Sequence, residues 1–221
     1  MKNIYLDYAA TTPVDPRIVK TMLPWFSEKF GNTMSLHYFG QEAKQALEES
    51  RGAVADLMGA KSNEIIFTGS ATESNNMALK GTALARRSLG GGGHIIISPI
   101  EHPCIVESAK WLESQGFEIT RLPVDKCGLV NPADVEKAIR KDTILVSIIH
   151  ASNEIGTIQD ISEIGRICKE KGVYFHTDAS QSFGKIPIDV NKMNIDLLTA
   201  SSHKMYGPKG VGLLFVRQGV K

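Results

Sequence analysis

Polar side chains directly follow five predicted β-strands of this chain. The polar stretches begin at Gly69, Pro99, Ala151, Asp178 and Ser201, and they read GSATESNN, PIEH, ASNE, DASQ and SSHK. Parallel strands bring their carboxyl ends to one edge of a sheet, and ligands bind there in open α/β sheets. We therefore expect hydroxyls, imidazoles, an amide, a carboxylate and an amine to meet at one edge.

Four of these positions carry the groups that pyridoxal 5'-phosphate requires. Lys204 has the amine for a Schiff base, and Asp178 has a carboxylate that would keep a pyridine nitrogen protonated. A helix that begins at Ala71 and Thr72 offers backbone N–H groups to a phosphate. His102 offers a flat ring that would stack on the cofactor. The sequence therefore predicts a pyridoxal phosphate site.

Strands and helices alternate along the chain, which predicts an α/β fold with a mainly parallel central sheet and helices on both faces. Apolar runs predict strands over residues 64–68, 94–98, 117–124, 143–150, 173–179, 195–201 and 211–216. Apolar spacing predicts helices over residues 39–59, 71–87, 104–116, 132–140 and 161–172. Asn131 is expected to cap one helix, with Pro132 at its first position.

The composition is that of a globular domain with a large core. The chain has 221 residues, of which 42% are hydrophobic and 22% are charged, with a net charge of +1. This balance predicts neither a nucleic-acid partner nor a membrane partner. The N-terminus has no apolar signal core.

The cysteines predict a reducing, cytoplasmic setting. Cys104, Cys127 and Cys168 are widely spaced and have neither a CxxC pair nor metal-ligand spacing, so no metal site is expected. We expect all three to be small buried or half-buried side chains.

Seven stretches together resemble a known family. They are YLDYAATTP (5–13), GN and SLHYFG (31–40), ATESNN (71–76), EH (101–102), NEIG (153–156), HTDASQSFGKIPID (176–189) and SSHKMYGPKGVG (201–212). Their order and length resemble the cysteine desulfurases of the NifS and IscS type, within the class V aminotransferase family. The resemblance covers nearly the whole chain, and it implies the large domain of a pyridoxal-phosphate-dependent transferase.

The resemblance also implies a role for each matching residue. Lys204 would hold pyridoxal phosphate covalently and move protons at the substrate Cα, and Asp178 would pair with the pyridine nitrogen. His102 would stack on the ring and take part in acid–base steps. Gln181 and Asn153 would bond the phenolic oxygen of the ring. The phosphate would be bound by Ala71, Thr72, Ser201, Ser202 and His203.

The activity implied by the resemblance is removal of sulfur from L-cysteine, with L-alanine and an enzyme persulfide as products. Such sulfur serves iron–sulfur cluster or thio-cofactor assembly. The family resemblance further implies a homodimer and a sulfur-acceptor or scaffold protein as partner.

The chain departs from the family in length and at two short stretches, GNTMS (31–35) and Gly69–Ser70. We expect an N-terminal segment over residues 1–15 and an incomplete cofactor-binding large domain over residues 16–221, without the small C-terminal domain that carries the nucleophilic cysteine. None of the three cysteines matches the motif of that nucleophile. This chain alone is thus not expected to complete desulfuration, and it is expected to expose apolar surface. The order Gly69–Ser70, reversed from the family, predicts weaker phosphate binding.

Simpler interpretations of the same residues remain open. Lys204 would be solvated, His102 would only begin a helix, Asp178 would cap a turn, Thr72 would be an N-cap, and Asn153 and Gln181 would satisfy backbone groups. At the level of function, the alternatives are a selenocysteine lyase, another class V aminotransferase, or a non-catalytic fragment that binds the cofactor.

Overall fold

The computed structural model describes residues 3–221, and within them the chain forms a seven-stranded sheet. The strands are β1 (Ile65–Thr68), β2 (His94–Ile97), β3 (Glu118–Arg121), β4 (Thr143–Ser147), β5 (Tyr174–Asp178), β6 (Leu197–Ser201) and β7 (Gly212–Val216). Their order across the sheet is β1-β7-β6-β5-β4-β2-β3. β7 pairs antiparallel with β1 and β6, and the other neighbouring strands pair in parallel. The predicted mainly parallel sheet is confirmed.

Eight α-helices accompany the sheet in residues 3–221. They are α1 (Pro16–Met22), α2 (Pro24–Ser27), α3 (Tyr38–Asp56), α4 (Ala71–Asn76), α5 (Thr82–Ser88), α6 (Pro103–Ser114), α7 (Pro132–Ala138) and α8 (Ile161–Lys171). The helices α1 and α2 were not predicted from the sequence. Both are short, with seven and four residues, and neither buries a side chain.

The sheet has an apolar core on each face, as the prediction of helices on both faces requires. Successive strand residues point to opposite faces, so Ile96 joins one core while Ile95 joins the other. The first core includes Ile164 of α8, and the second includes Leu112 of α6. The strands β2, β4 and β6 are buried along their whole length, which explains why they read as continuous apolar runs.

The predicted regular helix over residues 71–87 is wrong in its middle. A π-helical segment, Met77–Gly81, separates α4 from α5. Buried residues recur here in pairs four residues apart, at 74–75, 78–79 and 82–83. That period is longer than the 3.6 residues of an α-helix, and the wider π turn keeps the pairs on the side that packs against the sheet.

Two predicted helix ends are confirmed. The Asn131 side chain accepts a hydrogen bond from the Ala133 N–H at 3.0 Å, with Pro132 in the first turn of α7. α8 ends at Gly172, which has the left-handed φ of 69° that favours glycine.

The predicted burial of the cysteines holds for two of them. Cys168 is buried and Cys104 is half-buried, but Cys127 is exposed. Cys127 lies in a turn whose backbone is held by Asp125 Oδ1, which accepts from the N–H groups of Cys127 and Leu129. The turn directs its side chains to solvent.

Large apolar side chains of the N-terminal region are exposed, as expected from the sequence. We call this group the N-terminal apolar surface; it consists of Ile4, Leu6, Phe26, Phe30, Met34 and Leu36, each more than 60% exposed. In residues 3–221 no helix has the length and apolar character to cross a membrane.

Gly165 of α8 allows a close approach that a larger residue would prevent. A Cβ at this position would collide with the backbone carbonyl of Met193, whereas a Cβ at Gly52 of α3 would meet nothing within 4 Å. We expect Gly165→Ala to lower the free energy of unfolding by about 1–3 kcal/mol because of the overpacking. The matched variant Gly52→Ala should raise it by about 0.5–1 kcal/mol through better helix propensity. Urea denaturation of both variants checks this pair, and equal effects would contradict the packing argument.

Candidate active site

A cavity of about 280 Å³ opens at the carboxyl ends of the parallel strands. Six chain segments line it: the N-terminal segment, through Ala10, and the five segments that follow β1, β2, β4, β5 and β6. Nine of the ten predicted cofactor residues are in its wall: Ala71, Thr72, His102, Asn153, Asp178, Gln181, Ser201, His203 and Lys204. The predicted convergence at one sheet edge is therefore confirmed, while the role of each residue stays a prediction.

Ser202 is the predicted cofactor residue that lies outside the cavity wall. Its hydroxyl donates to the Pro208 carbonyl and also reaches the Val211 carbonyl, and its backbone N–H donates to Val211 as well. These contacts fold the turn that follows β6. The geometry gives Ser202 a structural place, and its predicted phosphate contact remains untested.

Lys204 is half-buried at the cavity, and its amine is held by the N-terminal segment. Nζ donates to the backbone carbonyls of Ala9 and Ala10, the latter at 2.9 Å. Burial, followed by the positive charge of Lys185, lowers the pKa of the Lys204 amine below its ordinary value. Lys204 is thus only partly exposed to solvent, and its covalent role stays a prediction. A lowered pKa favours the neutral amine, which is the nucleophilic form.

The AATTP stretch of the N-terminal segment packs on the turn that carries Lys204. The Thr12 N–H and hydroxyl both donate to the His203 carbonyl at 2.9 Å, and Thr12 Oγ1 accepts from the Tyr206 N–H at 2.8 Å. Thr11 Oγ1 lies 3.0 Å from His203 Nδ1. This motif therefore fixes the lysine turn instead of contributing a reactive group of its own.

Asp178 lies at the end of β5 with only 3% of its surface exposed. Its Oδ1 accepts from the N–H and the hydroxyl of Ser180, at 2.9 and 2.6 Å, so it does cap a turn. Its Oδ2 accepts from Asn75 Nδ2 at 2.7 Å, a buried contact across 103 residues of sequence. Both carboxylate oxygens of Asp178 therefore accept hydrogen bonds, from three donors in all. Capping and cofactor binding are compatible, because Asp178 also lines the cavity.

His102 is the N-cap of α6 and also lines the cavity. Its two interpretations, as the start of a helix and as a cofactor residue, are therefore compatible. Its Nδ1 accepts from the Cys104 N–H at 3.2 Å and lies 3.0 Å from Cys104 Sγ. Burial raises the pKa of the Cys104 thiol to about 11, so this thiol is protonated near neutral pH. Since Nδ1 accepts, the proton of a neutral His102 ring sits on Nε2.

The start of α4 presents free backbone donors to the cavity. The first N–H groups of a helix have no partner inside it, and Ala71 and Thr72 line the wall. Ser70 is the N-cap, because its Oγ accepts from the Glu73 N–H at 3.1 Å. The alternative that Thr72 is the N-cap is therefore wrong. In the Gly69–Ser70 order, the serine supplies the cap, and Gly69 donates its N–H to Glu73 Oε2 at 2.7 Å.

Gln181 and Asn153, the two amides predicted near the cofactor ring, form hydrogen bonds within the chain. Gln181 Nε2 donates to the Ala9 carbonyl at 2.8 Å, and Asn153 Nδ2 donates to Glu154 Oε1 at 2.7 Å. For Gln181 this is the backbone contact that the simpler interpretation expected. Both side chains line the cavity, so they lie within reach of a molecule bound there.

Asn75 and Cys104 are cavity residues that the sequence analysis did not assign. Asn75 is fully buried and its Nδ2 contacts both Asp178 Oδ2 and Cys104 Sγ, the latter at 3.1 Å. Its place one helical turn after the first residue of α4 could have indicated it, because i and i+4 share a helix face. Cys104 was set aside for want of a motif, and sequence alone could not show its contact with Asn75.

The residues of the cavity fit pyridoxal phosphate. A buried carboxylate, an amine of lowered pKa, a half-buried imidazole and the open start of a helix lie around one space. Asn75 Oδ1 is a buried acceptor without a hydrogen-bond partner among residues 3–221. A polar ligand explains such a site better than an apolar one, since unpaired buried polar atoms are costly.

Comparison with known proteins identifies the family. The model of the aminotransferase class-V family matches residues 4–221. The chain belongs to the class-V aminotransferase family. Within that family, it is 54% identical over 220 residues to the cysteine desulfurase IscS of Dictyoglomus turgidum, and equally to that of Methanosarcina thermophila. Each match covers 100% of this chain and 55% or 54% of the relative, so the chain spans about half the length of these class-V proteins.

Solved structures confirm the fold of this class-V chain. A NifS-like protein matches 99% of the chain and 60% of its own, with a TM-score of 0.95 and 42% identity. A structure described as SspA in complex with cysteine matches 97% of the chain and 61% of its own, with a TM-score of 0.94 and 47% identity. The predicted resemblance to the NifS and IscS type is thereby confirmed.

Proposed function

We propose that this chain is the cofactor-binding portion of a pyridoxal-phosphate-dependent cysteine desulfurase. The observation that carries the proposal is the convergence of Lys204, Asp178 and His102 on one cavity. The identity to cysteine desulfurases supports it, as does a structural neighbour whose description names bound cysteine. In the proposed reaction the carbon–sulfur bond of L-cysteine breaks, the sulfur joins a protein thiol as a persulfide, and the carbon skeleton leaves as L-alanine.

Each cavity residue has a place in this proposal. When bound, pyridoxal phosphate supplies an electron sink for the substrate Cα. Lys204 would hold it covalently and move a proton at Cα, and Asp178 would keep the pyridine nitrogen protonated. His102 would stack on the ring and present Nε2–H as a proton donor. Asn153 and Gln181 would bond the phenolic oxygen, and the phosphate would be held by Ala71, Thr72, Ser201, Ser202 and His203.

The thiol that accepts sulfur is assigned outside residues 3–221. Cys104 is protonated, Cys168 is buried in the core, and Cys127 lies in an exposed turn. A thiolate is the sulfur nucleophile, and none of these three combines that form with a place at the cavity. We assign this role to a further part of the protein, or to an acceptor or scaffold protein. The chemistry is proposed to take place in the reducing cytoplasm, where the sulfur would serve iron–sulfur cluster or thio-cofactor assembly.

A second copy of the chain is the proposed partner of the N-terminal apolar surface. Six large apolar side chains exposed within residues 4–36 exceed what isolated surface residues need. Sedimentation velocity at several concentrations tests this, and a monomer at every concentration would contradict a homodimer.

Reductive labelling tests the proposed function. The purified chain is mixed with pyridoxal phosphate, reduced with borohydride and digested, and the labelled peptide is identified by mass spectrometry. A single label on Lys204 supports the proposal. Label spread over exposed lysines, with the protein folded by circular dichroism, would contradict it. Addition of L-cysteine before reduction should protect Lys204 from the label, because the substrate amine competes for the same carbon.

A further inference from the structure

Glu101 is a buried acidic residue beside the cavity that the proposed mechanism does not use. It precedes His102 on the turn between β2 and α6, and only 7% of its surface is exposed. Its Oε1 accepts two short hydrogen bonds, from Ser98 Oγ at 2.6 Å and from the Ile149 N–H at 2.7 Å. The second bond joins the His102 turn to the end of β4, where Ile149 lines the cavity.

The two oxygens of Glu101 are not equivalent. Oε2 is buried and has no hydrogen-bond partner among residues 3–221. An ionised carboxylate spreads its charge over both oxygens, and a buried charge without partners is far more costly than a buried neutral group. The contacts of Glu101 therefore suit a neutral acid, whose carbonyl oxygen accepts both bonds.

Asp178, at the end of β5, shows the opposite arrangement of contacts. Its two oxygens accept from three donors, supplied by Asn75 and Ser180. Two titratable groups interact with Glu101 electrostatically, Asp178 at the end of β5 and Cys104 in the first turn of α6. Two histidines lie next to the turn in sequence, His102 beside Glu101 and His150 beside Ile149. His150 is itself buried, and burial lowers its pKa, which favours the neutral imidazole. The charge of Asp178 contributes to raising the pKa of Glu101, and only Asp178 has hydrogen-bond donors on both of its oxygens.

We propose that Glu101 is a positioning residue: as a neutral carboxylic acid it ties the His102 turn to β4 and adds no negative charge beside Asp178 beneath the cavity. This inference deepens the proposed function, and its consequence for catalysis rests on that function. The neutral state of Glu101 and its hydrogen bonds to Ser98 and Ile149 do not depend on any cofactor. The role of Glu101 is to hold His102 and Ile149 in the cavity wall while adding no second negative charge beside the group that faces the pyridine nitrogen.

The direction of the Glu101 pKa agrees with this arrangement. Burial, and to a smaller extent the charge of Asp178, raise it from 4.5 to about 8, against the lowering effect of the two hydrogen bonds. Between these values the folded chain keeps a proton that the unfolded chain has lost. The stability contributed by neutral Glu101 is thus complete below about pH 4.5 and declines as the pH rises toward 8.

The test compares the wild-type chain with Glu101→Gln by urea denaturation from pH 5 to pH 8, without cofactor. Glutamine has the shape of the neutral acid and does not titrate. We expect the ratio of the wild-type folding equilibrium constant to that of Glu101→Gln to fall with rising pH, by up to about tenfold per pH unit. The control Glu107→Gln removes an exposed carboxylate from α6, and its ratio should stay flat.

A second comparison separates positioning from simple packing. Glu101→Ala leaves the Ser98 hydroxyl and the Ile149 N–H without their acceptor, so it should be less stable than Glu101→Gln at every pH. In the cofactor-loaded protein, Glu101→Gln should keep pyridoxal phosphate affinity within about threefold of wild type, while Glu101→Ala should lose more than tenfold. If the ratio of the wild-type folding equilibrium constant to that of Glu101→Gln stayed constant or rose with pH, the assignment of Glu101 as a neutral acid would be overturned, even if Lys204 labelling succeeds. Failure of Lys204 labelling with the expected pH profile would instead count against the proposed function alone.

Discussion

Lys204→Arg is expected to abolish the borohydride-stable attachment of pyridoxal phosphate to the chain. Arginine keeps a positive charge and the N–H donors that meet the Ala9 and Ala10 carbonyls. It cannot supply a neutral primary amine, since its pKa exceeds about 12. The fold should survive the change, and the label on the peptide that spans residues 201–210 should fall by at least about 100-fold, because covalent capture requires that amine.

The pH dependence of labelling gives a second readout of the same residue. Burial and Lys185 lower the pKa of the Lys204 amine, so its neutral form appears at a lower pH than in an ordinary lysine. The rate of label formation at Lys204 should reach half its maximum below the corresponding pH for an exposed lysine of the same protein. Peptide mapping after short reaction times measures both rates in one sample.

Lys209→Arg is the matched control for Lys204→Arg. Lys209 lies five residues further along the same loop and is exposed. Its replacement should leave the Lys204 label within about twofold of wild type, because Lys209 does not line the cavity and arginine keeps the positive charge that acts on His203. An undiminished label in Lys204→Arg, or equal losses in the two variants, would show that attachment does not depend on the amine at the cavity.

The position of the residues at the strand ends was predictable, because the sheet topology puts them at one edge. Alternating strands and helices predict parallel strands, and parallel strands put their carboxyl ends at one edge. Asp178 and Lys204 could therefore be assigned to one site without knowledge of any contact between them. The same reasoning could not predict that β7 runs antiparallel to β6. Since β7 carries no cavity residue, the prediction of the site did not depend on its direction.

Contacts between distant segments were not predictable in the same way. The buried bond from Asn75 to Asp178 spans 103 residues, and the bond from Glu101 to the Ile149 N–H spans 48. The local sequence could place Asn75 on the helix face of Ala71, but it identifies neither Asp178 as the partner of Asn75 nor Ile149 as the partner of Glu101. The N-cap shows the same limit at short range, because Ser70 and Thr72 are both good capping residues and only the backbone geometry selects Ser70.

Asp178→Asn is expected to weaken pyridoxal phosphate binding by roughly 100-fold, or about 3 kcal/mol. The wild-type carboxylate is buried and carries the negative charge that a protonated pyridine nitrogen would meet. Asparagine retains the size of the side chain but has no charge. Its amide also cannot accept on both sides, so one of the donors from Asn75 and Ser180 loses its partner. Fluorescence titration with pyridoxal phosphate measures the change in affinity.

Asp189→Asn separates the loss of charge at the cavity from the loss of a turn cap. Asp189 Oδ1 accepts from the N–H groups of Asn191 and Lys192, each at 3.0 Å, as Asp178 Oδ1 accepts from Ser180. Both variants should lose some stability through weaker capping, about 1 kcal/mol for each hydrogen bond affected. Only Asp178→Asn should lose cofactor affinity, because Asp189 is not in the cavity wall. If Asp178→Asn bound pyridoxal phosphate within threefold of Asp189→Asn, the carboxylate of Asp178 would be a structural cap, and the pyridine nitrogen would need another partner.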